Sequence, residues 1–226
     1  MDEFTLSLAL FNFFPVVFTA LGMTFLVLWL HEGCPDNTPF AVVAAVLVVL
    51  GGLTKASWKL IFTLSGTDLL WLGNALFPLI GPGFFMLAIL TLATLCRQQG
   101  RTLTQRPWWT ALLFIAMMLV LAAWRTWGLE ITRGWFVPMM LLTTLGNLGL
   151  SALLIALSVR YRRWWLMGLL IINVLMIFLL QPIAMAEPKT VMLHWIEQTL
   201  TAFGTLCFTV AIYCLWQLRC GYTPVR

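Results

Sequence analysis

Seven stretches of the chain, roughly 5–31, 38–63, 69–96, 107–125, 134–158, 163–185 and 190–217, are apolar almost throughout and are separated only by short polar connections. A helix rises about 1.5 Å per residue, so about 20 residues cross the hydrocarbon core of a bilayer. Most of the seven clear that length, and the shortest, at 107–125, comes within a residue of it. Lipid offers no water to a stray backbone N–H or C=O, so a crossing segment must bond its own backbone; a helix does this and a lone strand does not. The expected fold is therefore all-α: a polytopic membrane protein, a bundle of about seven transmembrane helices forming a single transmembrane helical domain over 1–226. Composition leads to the same place. Residues are 62% hydrophobic and only 9% charged, against about 25% charged in a water-soluble domain. Connections such as Ser65-Gly66-Thr67-Asp68 are too short to hold a soluble domain.

The distribution of basic residues predicts the orientation. Arg97, Arg101, Arg106, Arg160, Arg162, Arg163, Arg219 and Arg226 fall on one face, and Arg125, Arg133 and Lys189 on the other. The face richer in arginine is expected in the cytosol, which puts the N-terminus outside and the C-terminus inside. Trp108-Trp109 and Trp164-Trp165 then read as anchors at the cytosolic interface, with Trp124, Trp127 and Trp135 at the outer one. The start, Met1-Asp2-Glu3, is acidic and its apolar run is too long for a cleaved leader, so it is read as a retained first span. The minimal loops suit a plasma or inner membrane. No basic run is interleaved with aromatics, so the net charge of +5 does not point to nucleic acid. Membrane lipids are the expected surroundings, and a membrane protein partner or a second copy of the chain stays open. The five cysteines are expected as reduced thiols, four of them near the cytosolic face.

Ionisable side chains inside a membrane cost several kcal/mol unless paired, solvated or used. Lys55 and Lys59 sit four residues apart on one face of span 2. Lys59 is expected to extend along its helix to the outer interface. Lys55, deeper, is expected to face the interior. Span 7 supplies the opposite charge. His194, Glu197, Gln198, Thr201, Thr205 and Thr209 recur at helical spacing and form one polar stripe. Glu197 is the one acidic residue clearly within a span, which makes it the natural partner of Lys55, with His194 one turn outward. Asn12, Asn74, Arg125 and Gln181 add polar groups at similar depth. The candidate ligand-binding set is therefore Lys55, Lys59, Asn74, Arg125, Gln181, His194, Glu197 and Gln198. No metal set and no cofactor motif is read. The loop His31-Glu32-Gly33-Cys34-Pro35-Asp36 has no second ligand cluster at zinc spacing.

Gly81-Pro82-Gly83 is expected to break span 3 near its middle, and Pro15, Pro138 and Pro182 to kink spans 1, 5 and 6. Asp68 is expected to cap span 3. At a shift of 123–124 residues Pro15 falls on Pro138, Gly22 on Gly146, Asn74 on Gln198 and Gly81 on Gly204, which suggests a three-plus-one-plus-three repeat. With prolines in spans 1 and 5 and an amide in spans 3 and 7, the layout is similar to that of the SWEET sugar transporters. That family's proline-glutamine motif is absent, since Gln181-Pro182 reads in reverse, and no family is assigned. A retinal protein is disfavoured because span 7 carries no lysine.

Three functions stay open. One is binding or transport of a small polar or amphipathic ligand through an outer-half polar cavity between helices 2, 3 and 7. Another is a structural, sensory or accessory membrane subunit. A third is an intramembrane enzyme acting on a lipid or polyprenyl substrate.

Overall fold

Helix accounts for 88% of the described residues, and these contain no strand. The computed structural model describes residues 5–101, 106–185 and 190–221. Lys189 and Arg226, and the side chain of Gln181, lie outside the described residues. The helices are α1 (Leu6–Phe11), α2 (Phe13–Gly33), α3 (Thr38–Ser65), α4 (Leu70–Asn74), α5 (Leu76–Gln98), α6 (Pro107–Ala123), α7 (Phe136–Arg160), α8 (Trp164–Met185) and α9 (Val191–Arg219). A 3-10 turn, Pro35–Asn37, joins α2 to α3, and a π turn, Trp124–Gly128, continues α6. Six stretches, with α1 and α2 taken together and α4 and α5 taken together, are long and apolar enough to cross a membrane; α8 adds a shorter apolar stretch, Trp164–Leu180. This is the make-up of a multi-pass membrane protein.

Two of the spans are interrupted, and one cause explains both. The breaks are single residues, Asn12 (φ −60°, ψ −17°) and Ala75 (φ −69°, ψ −15°). Each lies three positions before a proline, Pro15 or Pro78. A proline cannot donate to the carbonyl four residues back, and its ring crowds that carbonyl. The groups released are those of Phe11 and Asn74, and the helix kinks just after each of them. The break expected at Gly81-Pro82-Gly83 does not occur there: α5 runs through Pro82. Those glycines serve close packing instead. A Cβ on Gly83 would stand 2.7 Å from the Ala44 carbonyl oxygen, so the backbones of α3 and α5 touch. Pro138 makes no kink either. It is the third residue of α7, where the missing N–H would have had no partner within the helix. Pro15 and Pro138, which the 123-residue shift equates, are each the third residue of a helix, but only Pro15 follows directly on another helical stretch, α1. Asp68 does not cap α4. The cap position falls one residue later, on Leu69, and the Asp68 carboxylate accepts from the Trp58 indole N–H at 2.9 Å.

The chain falls into two compact units. Unit 1 holds Met1–Leu26, Gly52–Leu76 and Leu154–Arg226. Within it α9 packs along α8, with Gly204 against Met176. It also packs along the first part of α2. There Thr209 Oγ1 donates to the Phe18 carbonyl at 2.6 Å, and Gly22 lies against the Phe208 ring. Phe11 and Trp195 meet at 5.5 Å between ring centres. Unit 2 holds Val27–Gly51 and Phe77–Leu153. Its contacts are glycine approaches and ring stacks. Gly146 lies against the backbone of Phe85, and Phe40 stacks on Trp108 at 4.3 Å. Arg97 and Asn37 both donate to the buried Cys34 sulfur, at 3.1 and 3.2 Å.

Candidate functional site

The kink at Asn12 positions the first element of the site. Its carboxamide nitrogen donates to the Leu8 carbonyl at 2.7 Å. The carboxamide oxygen is thereby turned away from its own helix and accepts from Lys59 Nζ at 3.2 Å. Both residues are buried, Lys59 at 4% exposure and Asn12 at 6%. Lys59 therefore does not extend to the interface as expected; the more exposed of the two lysines is the half-buried Lys55. The reason is a contact between segments 47 residues apart. A buried ammonium needs acceptors, and the amide beside a proline kink supplies one inside the unit.

The second element is one face of α3. Gly52, Lys55, Ala56 and Lys59 follow at steps of three, one and three residues and so share a helical face. The small residues leave room beside the two long ones. The third element is the N-terminal part of α9, with Glu197, Gln198 and Thr201. Together with Pro15, Val16, Leu76 and Leu180 these residues line a cavity of about 270 Å3 that lies wholly within unit 1. Its wall carries two ammonium groups, one carboxylate and two carboxamides among aliphatic side chains. Such a wall can hold a polar or charged group at one end and an apolar group at the other.

Behind the wall, His194 is buried, with Nδ1 3.8 Å from a Glu197 oxygen. That is too long for a hydrogen bond, yet close enough for the charge of one ring or carboxylate to be felt by the other. The threonines below it close the polar stripe off. Thr201 donates to the Glu197 carbonyl, Thr205 to that of Thr201, and Thr209 to those of Thr205 and Phe18. Their hydroxyl protons are spent on backbone, so beyond Thr201 the stripe is packing surface between α9 and α2.

Of the sequence-derived candidates, Lys55, Lys59, Glu197 and Gln198 come together on the cavity wall, and His194 stands next to Glu197. Asn74 lies at the end of α4 and is not on that wall. Arg125 belongs to unit 2, where its Nε donates to the Gly134 carbonyl at 3.3 Å and ties the π turn to the following loop. Asn12 and Thr201 join the site without having been selected. The usable signal for Asn12 was its place three residues before a proline. Among the described residues no group of three His, Cys, Asp or Glu side chains is placed to hold a metal ion, and all five cysteines are free thiols.

No family model, curated protein or solved structure matches this chain.

Proposed function

We propose that this multi-pass membrane protein spans the plasma or inner membrane seven times, N-terminus outside, and binds or transports a small polar or amphipathic ligand at the unit 1 cavity. The observation that carries the proposal is the convergence of Lys55, Lys59, Glu197 and Gln198 on one cavity of about 270 Å3. Ionisable groups within spans are expensive and mark ligand or ion paths by default. With the N-terminus outside, the cavity lies in the outer half, since Asn12 and Glu197 are each within a few residues of the outer ends of their spans. Proline kinks and an aliphatic lining suit a cavity that opens and closes on a small amphipathic molecule.

The test is access. In cells carrying a variant with the five native cysteines replaced, Thr201→Cys should react with a charged thiol reagent added outside. Thr209→Cys, in the packed part of the same helix, should not. Thr201→Cys that stays unreactive would leave Lys55, Lys59 and Glu197 as a packing device of an accessory subunit. Removal of Lys55 and Glu197 together would in that case leave a stable, normally behaving protein.

A further inference from the structure

Gln198 is a buried polar group on the cavity wall whose bonding the protein leaves unfilled, and the groups that would fill it define a ligand, an inference that rests on the cavity being a ligand site. At 6% exposure Gln198 is more than nine-tenths buried. It stands one turn from the equally buried His194 and one turn from Ala202, on the buried face of α9. Among the described residues of the wall, every other polar side chain has a partner. Asn12 bonds Leu8 and Lys59, Thr201 donates to the Glu197 carbonyl, and Lys55, Lys59 and Glu197 each hold interactions within the protein. Gln198 lines the same cavity and makes no hydrogen bond through its side chain.

A carboxamide carries two N–H donors beside a carbonyl acceptor. Buried polar groups are normally bonded, and leaving one without a partner is costly. We infer that Gln198 receives a small uncharged ligand through a group that donates and accepts side by side, an amide, held edge to edge by two hydrogen bonds. A carboxylate only accepts, so it would leave the Gln198 oxygen unmet. An ammonium only donates, so it would leave the Gln198 amide hydrogens unmet. Two neighbouring hydroxyls also present a donor beside an acceptor, and the experiment separates them from an amide. Pro15, Val16, Leu76 and Leu180 supply apolar wall for a short aliphatic tail. The volume, about 270 Å3, lies just under the range of about 300–1,000 Å3 found for drug-sized ligands, so the ligand is smaller than those.

The purified full-length protein is heated in a zwitterionic detergent at constant ionic strength with butyramide, sodium butyrate, butylammonium or propylene glycol. Butyramide should raise the unfolding midpoint in a dose-dependent and saturating way, and the other three probes should not. Gln198→Met keeps the length of the side chain and removes the carboxamide. It should weaken butyramide binding about tenfold or more through the loss of two hydrogen bonds. Its midpoint without ligand should hold or rise, because a buried group with no partner has been removed. A lowered midpoint in the absence of ligand would show that the Gln198 amide is bonded within the fold and would overturn the proposal. Equal protection by butyrate or butylammonium would overturn the amide assignment while leaving a ligand site. Protection by propylene glycol and not by butyramide would overturn the amide in favour of paired hydroxyls. Protection by none of the probes, with Thr201→Cys reactive from outside, would overturn the ligand class alone; with Thr201→Cys unreactive it would overturn the site itself. The wild-type series decides the point even if the variant fails to fold.

Discussion

Gly146 in α7 is the position where unit 2 tolerates a side chain least. A Cβ built there would stand 2.4 Å from the Phe85 nitrogen and 2.7–2.8 Å from the neighbouring backbone carbons, against an ordinary contact of 3.4 Å or more. To restore contact, 3.4 − 2.4, or about 1 Å of separation, must open between α7 and α5. The obstacle is helical backbone, which cannot step aside as a flexible side chain can. Overpacking of this kind costs about 1–3 kcal/mol, and here the upper part of that range applies because no rotamer relieves it. Alanine recovers up to about 1 kcal/mol through its helix propensity. Gly146→Ala should therefore lose about 2 kcal/mol, equivalent to about 4–8 °C in unfolding midpoint for a chain of this size. Gly168 is the control. Nothing lies within 4 Å of a Cβ there, so Gly168→Ala in α8 should be neutral or stabilising by up to about 1 kcal/mol. Both can be read by thermal unfolding of the purified variants in the same detergent. A Gly146→Ala midpoint at or above that of the wild type would refute the claim that α5 and α7 meet backbone to backbone.

Pro15→Ala restores a donor to the Phe11 carbonyl and should straighten the chain through Asn12. Unfolding midpoint should hold or rise, while the rate at which Thr201→Cys reacts with the external thiol reagent changes by about twofold or more as the Lys59 acceptor is displaced; an unchanged rate would show that the kink does not position the site. For the orientation, reporter fusions after Arg101 and at the C-terminus should both be active only in the cytosol, and external activity of either would overturn the assignment.

The helices and their membrane environment were legible before any coordinates because both follow from one-dimensional facts. A chain with so few charges must be covered by lipid, and a segment in lipid must bond its own backbone. Long apolar runs bounded by polar turns therefore settle which residues are helical and how long the spans are. That a lysine face in α3 and Glu197 and Gln198 in α9 would come to one cavity was also readable, because charges within spans are few and their burial must be offset. What sequence spacing could not tell was the rotation of each helix about its axis. In a soluble protein the apolar stripe marks the buried side. Here lipid is as apolar as the interior, and the stripe carries no such information. Asn74 and Arg125 looked equivalent to Gln198 for that reason, yet only Gln198 reaches the cavity wall.

Proline effects were visible in kind but not in place. Whether a proline kinks a helix depends on the carbonyl four residues back and on where the helix begins, so Pro15 and Pro78 break the chain while Pro82 and Pro138 do not. The identity of the buried lysine was decided by tertiary structure alone. Lys55 and Lys59 share a face and a chemistry, and depth along the span argued for Lys55 as the inner one. Lys59 is the more buried because a kink 47 residues earlier turns the Asn12 oxygen toward it. Composition and periodicity determine that this chain is a set of apolar helices carrying a few interior charges. The directions in which those charges point depend on contacts between segments far apart in sequence, and spacing within a single helix holds no record of them.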